Sequence, residues 1–255
     1  MNLSLSRELA AKYRSNTQVA RVLTEAWVAD QMFCPRCGNS SIERFPNNRP
    51  VADFYCPICK YEYELKSKNG TLARKVIDGA YAAMIERITG NKNPDFLFMG
   101  YDAKNFIVRD LLLIPKHFFV PEVIEQRKPL SATARRAGWI GCNILIEKIP
   151  EQGRIPIVKS GVIMNASSVI KKVNRGKTLE ISDINARGWL MDVLSCLNRT
   201  PDVNFSLAEM YSFEDYLKRR HPSNNNIKPK IRQQLQLLRD KGFIEFLGNG
   251  KYRKI

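Results

Sequence analysis

Three charged side chains near residue 60 have types and spacing that suit chemistry on a phosphate ester. Asp53 precedes a pair of cysteines, and the run Glu64-Leu65-Lys66 follows that pair. Both flanking segments are rich in Tyr, Phe and Val, which favours two β-strands that turn at the cysteines. Side chains alternate between faces along a strand, so Glu64 and Lys66 point the same way. Asp53 joins them if it lies across the hairpin on that face.

Two carboxylates and an ammonium on one face predict a magnesium site with a cation beside it. Magnesium prefers hard oxygen ligands and retains several waters. It acidifies a bound water and stabilises the charge that builds on a phosphate. Lys66 could orient or deprotonate that water, or neutralise the transition state. Glu62 shares the face of Glu64 and could be a further ligand. The alternative to a metal site is that these three residues are solvated charges on a strand without a chemical role, which residue types alone would favour.

Four of the six cysteines form two CxxC pairs, Cys34/Cys37 and Cys56/Cys59, whose first members are 22 positions apart (56 − 34). This spacing is close to that of a zinc ribbon. Tetrahedral zinc takes four thiolates, and each CxxC supplies two from one tight turn. A site closed by four cysteines has no open position, which predicts a structural zinc ion that ties the first turn to the hairpin. Disulfides are the alternative and are disfavoured inside cells.

Composition predicts a basic globular protein with a polyanionic partner. The chain has 255 residues, 44% of them hydrophobic, and a net charge of +16. This length is near the size at which chains split into two domains. A basic excess of this size suits nucleic acid, although a merely soluble basic protein is possible. No apolar run approaches the roughly 18 residues of a membrane helix, and no signal peptide is visible, so we expect a cytoplasmic protein.

The first two thirds of the chain predict a mixed α/β sheet with flanking helices. A second helix is expected to be capped by Asn16 or Thr17. The predicted elements are two helices within 4–31, the cysteine hairpin, a helix at about 76–88, strands at 96–101 and 106–115, and further strands within 144–163.

The segment 116–143 is rich in Pro, Arg and small residues and is interpreted mostly as a functional loop. Trp139 lies between Gly138 and Gly141, with Arg135 and Arg136 shortly before it. Exposed arginines beside an aromatic residue suit phosphate contact with stacking or insertion against a base. The alternative, that Trp139 is a buried core residue, has equal support from the sequence. The polar, basic segment 167–186 is interpreted as a linker.

The last part of the chain predicts a winged helix, formed by three helices and a hairpin. Its third helix, IKPKIRQQLQLLRDK, would enter the major groove, where Arg and Gln suit guanine and adenine edges. Winged helices also dock proteins, but the charge favours DNA. The residues predicted to contact DNA are Arg135, Arg136, Trp139, Lys228, Lys230, Arg232, Gln233, Gln234, Lys251 and Arg253.

The pattern VAD…ELK resembles that of the PD-(D/E)xK nucleases, with an Asp near the start of one strand and E-x-K on the next. RPVADFYC, ELKSK, DGAYA, QRKPL, ARRAGWIGCN, RGW, IRQQLQLLRDK and FIEF extend the resemblance over essentially the whole chain. Together they resemble the DpnI-type, methyl-directed type II restriction endonucleases. The motif's Pro is Pro50, three residues before Asp53 instead of adjacent to it.

This resemblance implies a PD-(D/E)xK nuclease domain with a zinc site at 1–182 and a winged-helix DNA-binding domain at 183–255. It implies cleavage of double-stranded GATC DNA whose adenines are methylated on both strands, in a bacterial cytoplasm. Catalysis would fall to Asp53, Glu64 and Lys66, with magnesium on the two carboxylates and zinc on the four paired cysteines. Nucleases of this family often add a helical Glu as a ligand, for which Glu25 is the candidate.

Two other classes of protein stay open on the sequence. A zinc-ribbon and winged-helix transcription regulator without enzymatic activity explains the charge, the cysteines and the third helix, but not the arrangement of Asp53, Glu64 and Lys66. A repair or recombination nuclease that reads DNA structure is the other. No dimer helix is obvious, so we expect a monomer. Trp139 and the third helix of the winged domain are the hypothetical readers of the adenine methyl groups.

Overall fold

The computed structural model describes residues 1–46, 52–72 and 74–255. The loop expected at residues 47–50, which includes Pro50, lies outside the described residues. Within the described ranges, no helix combines the length and apolar character needed to cross a membrane.

The strands, in chain order, are β1 (Glu43–Arg44), β2 (Phe54–Tyr55), β3 (Glu62–Asn69), β4 (Lys75–Ala80), β5 (Asp95–Asp102), β6 (Ile107–Ile114), β7 (Ile124–Gln126), β8 (Gly141–Leu145), β9 (Ile155–Lys159), β10 (Val162–Ile163), β11 (Asn204–Ser206), β12 (Ile244–Gly248) and β13 (Lys251–Lys254). The α-helices are α1 (Arg7–Ala10), α2 (Asn16–Gln31), α3 (Tyr81–Thr89), α4 (Ala166–Lys177), α5 (Ile184–Arg199), α6 (Leu207–Tyr211), α7 (Glu214–Arg220) and α8 (Ile227–Asp240).

In the described part of the chain, seven strands form the main sheet in the order β1-β2-β3-β5-β6-β9-β10. β3 and β5 are parallel, whereas β2, β6 and β9 pair with antiparallel neighbours. The predicted mixed α/β sheet is therefore confirmed. A second sheet has the order β4-β8-β7, and a third, β11-β13-β12, belongs to the C-terminal helices.

Strand β5 lies at the centre of the main sheet and separates two apolar cores. Phe96 and Phe98 point into one core, and Leu97 and Met99 point into the other. This is the alternation that a strand buried on both faces must show. Helices α2 and α4 contribute buried side chains to the core of Leu97, and α3 contributes to that of Phe96.

The core that contains Phe96 continues into the C-terminal helices. Trp189 and Leu190 of α5 and Leu235 of α8 belong to the same buried cluster as Phe96 and Phe98. The expected division between 1–182 and 183–255 stays a prediction, because this apolar contact runs across it.

Two expectations about helices are wrong. Residues 75–80 form strand β4, and α3 starts only at Tyr81, because Val76 pairs with Ile144 of β8 and extends the second sheet. The expected linker contains α4, whose Val169 and Val173 are buried. The other residues of α4 are mostly polar, so its apolar positions are too few to indicate a helix in the sequence.

Smaller differences concern caps and connections. The N-cap of α2 is Ser15, so neither Asn16 nor Thr17 occupies that position. The segment 116–143 contains two short 3-10 helices and β7, which leaves 127–140 as the loop. The helix expected after Ser206 is divided into α6 and α7, and β11 adds a third strand to the wing.

Candidate functional site

The hairpin of β2 and β3 brings Asp53 close to the run Glu64-Leu65-Lys66. Phe54 pairs with Tyr63, and Asp53 directly precedes β2. The N–H of Asp53 donates to the carbonyl of Tyr63 at 2.9 Å. The N–H of Leu65 donates to Oδ2 of Asp53 at 2.7 Å. This contact brings the carboxylate of Asp53 to the backbone between Glu64 and Lys66.

The ammonium of Lys66 lies beside Glu64, with Nζ 2.6 Å from Oε1. The structure adds two partners that the sequence did not predict. Asp78 of β4 forms an ion pair with Nζ of Lys66, and Arg87 of α3 donates to Oε2 of Glu64. The side chain of Glu64 is only 12% exposed. Each of its two oxygens therefore has a cationic partner.

Lys66 is held in its charged form. Burial alone would lower the pKa of this ammonium, but the carboxylates of Glu64 and Asp78 outweigh that effect and raise the pKa above its ordinary value. In this arrangement Lys66 is a donor and a positive charge, which suits orienting a water or stabilising a developing oxyanion.

Helix α2 brings Glu25 towards the same hairpin. The hydroxyl of Thr24 contacts that of Ser67 on β3 at 3.1 Å. Glu25 forms ion pairs with Arg21, at 3.3 Å, and with Arg44. Burial raises the pKa of Glu25, the two arginines lower it, and the nearby charge of Asp53 raises it further. The candidate helical Glu is thus close enough to Asp53 to sense its charge.

The oxygen donors at the hairpin fit a hard divalent cation. Oδ2 of Asp53 accepts one backbone N–H, and the described residues form no hydrogen bond to its other oxygen. Carboxylate oxygens are the ligands that magnesium prefers. A bound cation must compete with Lys66 and Arg87 for Glu64.

The four paired cysteines converge on one point. Their sulfur atoms all lie within 4.8 Å of one another, and no other metal-binding group of this kind was found among the described residues. The Sγ atoms of Cys34 and Cys59 are 3.6 Å apart, as are those of Cys37 and Cys56. Tetrahedral zinc with bonds of about 2.3 Å separates its sulfurs by about 3.8 Å. The cluster could therefore bind zinc.

Local contacts connect the cysteine cluster to the hairpin. Gly38 has φ +81°, the left-handed conformation that lets the first turn close. The hydroxyl of Tyr63 contacts Sγ of Cys34 at 3.2 Å, and Tyr63 directly precedes Glu64. Burial raises the pKa of Cys34. Burial also raises that of Cys56, but backbone N–H groups in its turn outweigh it and lower the pKa to about 7.

The loop 127–140 presents its cations with an aromatic ring. The guanidinium of Arg136 lies 4.6 Å from the ring centroid of Trp139, and Arg135 is exposed. Trp139 is half-buried, so it is neither a core residue nor fully free. A Cβ on Gly141 would lie 2.8 Å from the indole, which is why a glycine is needed there.

Helix α8 exposes Lys228, Arg232 and Gln233, whereas Lys230 is half-buried near Trp189. Gln234 was expected on the exposed side and is only 4% exposed. Gln234 lies beside the buried residues Ile231 and Leu235 of α8, so its side chain is on the buried face although that of Gln233 is exposed.

The wing adds further exposed cations. Lys251 and Arg253 on β13 are both exposed, and Arg253 forms an ion pair with Glu245 of the neighbouring strand. Alternation along β13 puts both cations on one side. Lys251 is thus exposed on the same side of the wing as the ion pair of Arg253 with Glu245.

The chain combines a mixed α/β sheet, a four-cysteine cluster and a C-terminal segment of helices with a wing. Residues 1–182 match the model of the family described as DpnI, Dam-replacing family, and residues 185–254 match its helix-turn-helix domain. The chain belongs to this DpnI family. Membership supports a methyl-dependent restriction endonuclease with DNA as its partner and a winged helix among its DNA-binding elements.

Sequence reasoning missed Asp78 and Arg87 because both lie in the segment interpreted as one helix. The run DGAYA, which contains Asp78, has no spacing of its own that indicates a site. The ion pairs with Lys66 and Glu64 depend on how β4 and α3 meet β3, which no local pattern specifies.

Proposed function

We propose that the protein is a magnesium-dependent type II restriction endonuclease that hydrolyses both strands of GATC DNA methylated on adenine. The observation that carries the proposal is the contact of Lys66 with Glu64, on the hairpin that also carries Asp53, in a chain of the DpnI family. An arrangement of this kind has no use in a regulator that only binds DNA.

Asp53 and Glu64 would hold the magnesium ion, which supplies an acidified water and charge stabilisation at the phosphate. Arg87 and Lys66 keep Glu64 neutralised within a partly buried site. Lys66 would donate to the attacking water or to a phosphate oxygen, because its ammonium stays protonated in this environment. The four-cysteine cluster would hold a structural zinc ion that fixes the hairpin turn.

DNA would contact two surfaces. Lys228, Arg232 and Gln233 would face the major groove, and Lys251 and Arg253 would contact the backbone beside it. The loop with Arg135, Arg136 and Trp139 would contact DNA near the cleavage site.

Preference for methylated DNA requires more than one small contact. A hydrophobic pocket gains about 1–3 kcal/mol from one methyl group. Strict discrimination therefore needs contributions from both methyl groups or from both surfaces, and Trp139 and α8 are the proposed readers. Replacing Trp139 by Ala and finding the methyl preference unchanged would exclude its part.

The test uses one plasmid in two preparations, methylated at GATC adenines and unmethylated, incubated with the protein and magnesium. We expect cleavage of the methylated plasmid only, at GATC, and none in the presence of a chelator. Cleavage of both preparations would retain the nuclease and reject the methyl preference. Tight binding without cleavage would favour the regulator.

Lys66→Ala tests the residue that the proposal depends on. We expect loss of cleavage with DNA binding retained. Lys68→Ala is the matched control, because Lys68 lies two residues along β3 on the same face and is exposed. Light scattering on the protein alone and with DNA tests the proposal that it acts as a monomer.

A further inference from the structure

Lys66 receives a second carboxylate from outside the hairpin. Oδ1 of Asp78 forms an ion pair with Nζ of Lys66, in addition to the contact of Nζ with Glu64. The side chain of Asp78 is 6% exposed and that of Lys66 is 24% exposed. This contact is therefore largely shielded from water. Water weakens ion pairs at the surface, and it weakens this partly buried pair less.

Asp78 comes from a different sheet than Lys66. Strand β4 pairs with β8, and Asp78 is in register with Cys142. The register shifts between Asp78 and Ala80, so the strand is irregular where it carries the carboxylate. Strand β8 follows directly on the loop 127–140. One small sheet thus carries both the carboxylate on Lys66 and the loop with Trp139.

Glu64 has a second cationic partner, so the contact of Asp78 with Lys66 matters for holding the ammonium in place. Arg87 already occupies Oε2 of Glu64, so Lys66 shares that carboxylate with a second cation. If Glu64 holds a divalent ion as proposed, Asp78 would be the other carboxylate in contact with the ammonium. Lysine has a flexible four-carbon stem, and its ammonium needs such a contact to stay in one place.

We propose that Asp78 is a positioning residue that holds the ammonium of Lys66 at the hydrolytic centre. The inference rests on the proposed function, in which Lys66 acts on the phosphate or the attacking water. Asp78 touches neither of these and acts through Lys66.

The experiment measures single-turnover cleavage of a short duplex with one adenine-methylated GATC, at saturating protein and with magnesium. The dissociation constant of the same duplex is measured separately by fluorescence anisotropy in chelator. We expect Asp78→Asn to lower the cleavage rate about 10–100-fold, as misplacement of a reacting group does. The dissociation constant should stay within about twofold, because Asp78 makes no binding contact in the proposal.

Glu125→Gln is the matched control. Glu125 lies on β7 of the same sheet and forms an ion pair with Lys75 at 2.7 Å, away from Lys66. We expect this variant to cleave at the wild-type rate. A rate loss in both variants would mean that any charge change in the sheet disturbs cleavage, and would overturn the inference.

Lys66→Ala separates this inference from the function on which it rests. If Lys66→Ala cleaves normally, the proposed function is wrong. If Lys66→Ala is inactive and Asp78→Asn cleaves normally, only the role of Asp78 is wrong. Asp78→Ser is the second variant, and both are checked by thermal melting. If both variants fail to fold, or lose DNA affinity as much as rate, Asp78 is a structural residue and the inference is rejected.

Discussion

Replacing Arg187 by Met should destabilise the whole protein, because this buried guanidinium supplies hydrogen bonds to several chain segments at once. Arg187 of α5 is 3% exposed. Its Nε donates to the carbonyl of Ile181 at 3.0 Å, and its terminal nitrogens donate to those of Ile88, Phe119 and Ser182 at 3.2–3.3 Å. An asparagine side chain is a further acceptor. Among the described residues, no carboxylate forms an ion pair with it.

The expected loss in the free energy of unfolding follows from the carbonyls that lose their donor when Met replaces Arg187. The apolar stem is preserved, so the loss comes from carbonyls that remain buried without a donor. Each unsatisfied group costs about 1–3 kcal/mol. Removing the buried charge offsets part of this, since burial already lowers the pKa of Arg187. We expect a net loss of about 3–5 kcal/mol in the free energy of unfolding. For a chain of this length, that is about 6–20 °C in melting temperature.

Equilibrium urea unfolding, followed by circular dichroism, measures this loss. Arg199→Met is the control, because Arg199 lies on the same helix, is exposed, and has its guanidinium over the ring of Tyr216. We expect the control to lose less than about 1 kcal/mol. A similarly small loss for Arg187→Met would refute the reasoning, since it would mean that the carbonyls find other donors or water.

Three further predictions concern metal, acid and a helix cap. Cys37→Ser removes one of four thiolates, so the purified protein should contain less than one zinc ion per chain and should have a lower melting temperature. One full zinc ion per chain by metal analysis would contradict the four-cysteine site. Burial lowers the pKa of His117 from 6.5 to about 3, so the unfolded chain binds more protons and stability is lost as pH falls from about 6.5 towards 3. Between pH 7 and pH 5 this is about 2 kcal/mol, and urea unfolding of His117→Gln should lack it. Asn165→Ala removes the side chain that accepts the N–H of Ser168 at the start of α4, and should cost about 1 kcal/mol by the same measurement; an unchanged free energy would show that the cap is dispensable.

The sequence predicted those parts of the site that depend on short-range geometry. Strand alternation correctly put Glu64 and Lys66 on one face, and the spacing of the CxxC pairs anticipated that four sulfurs converge. The first is a property of alternate residues on one strand, and the second follows from two short turns that each carry two cysteines. The short turn also brings Asp53 to this hairpin, where its Oδ2 accepts the N–H of Leu65.

The remaining parts depend on tertiary contacts. Val76 to Ala80 fits a helix or a strand, and only pairing with β8 decides for a strand. Asp78 therefore could not be placed beside Lys66 in advance. Gln233 and Gln234 are chemically identical, and only the packing of α8 shows that the second one is buried.

The apolar core shared by Phe96 and Leu235 has a consequence for the evolution of the family. A segment that docks through few contacts can be exchanged between related genes by recombination. Here the helices after residue 183 share one buried apolar cluster with the first part of the chain, so an exchanged segment would bring a mismatched surface. Changes on the two sides of this contact must be inherited together. Diversification of DNA recognition should then proceed by substitutions on the exposed side of α8 and in the wing, and rarely by replacement of the whole C-terminal segment.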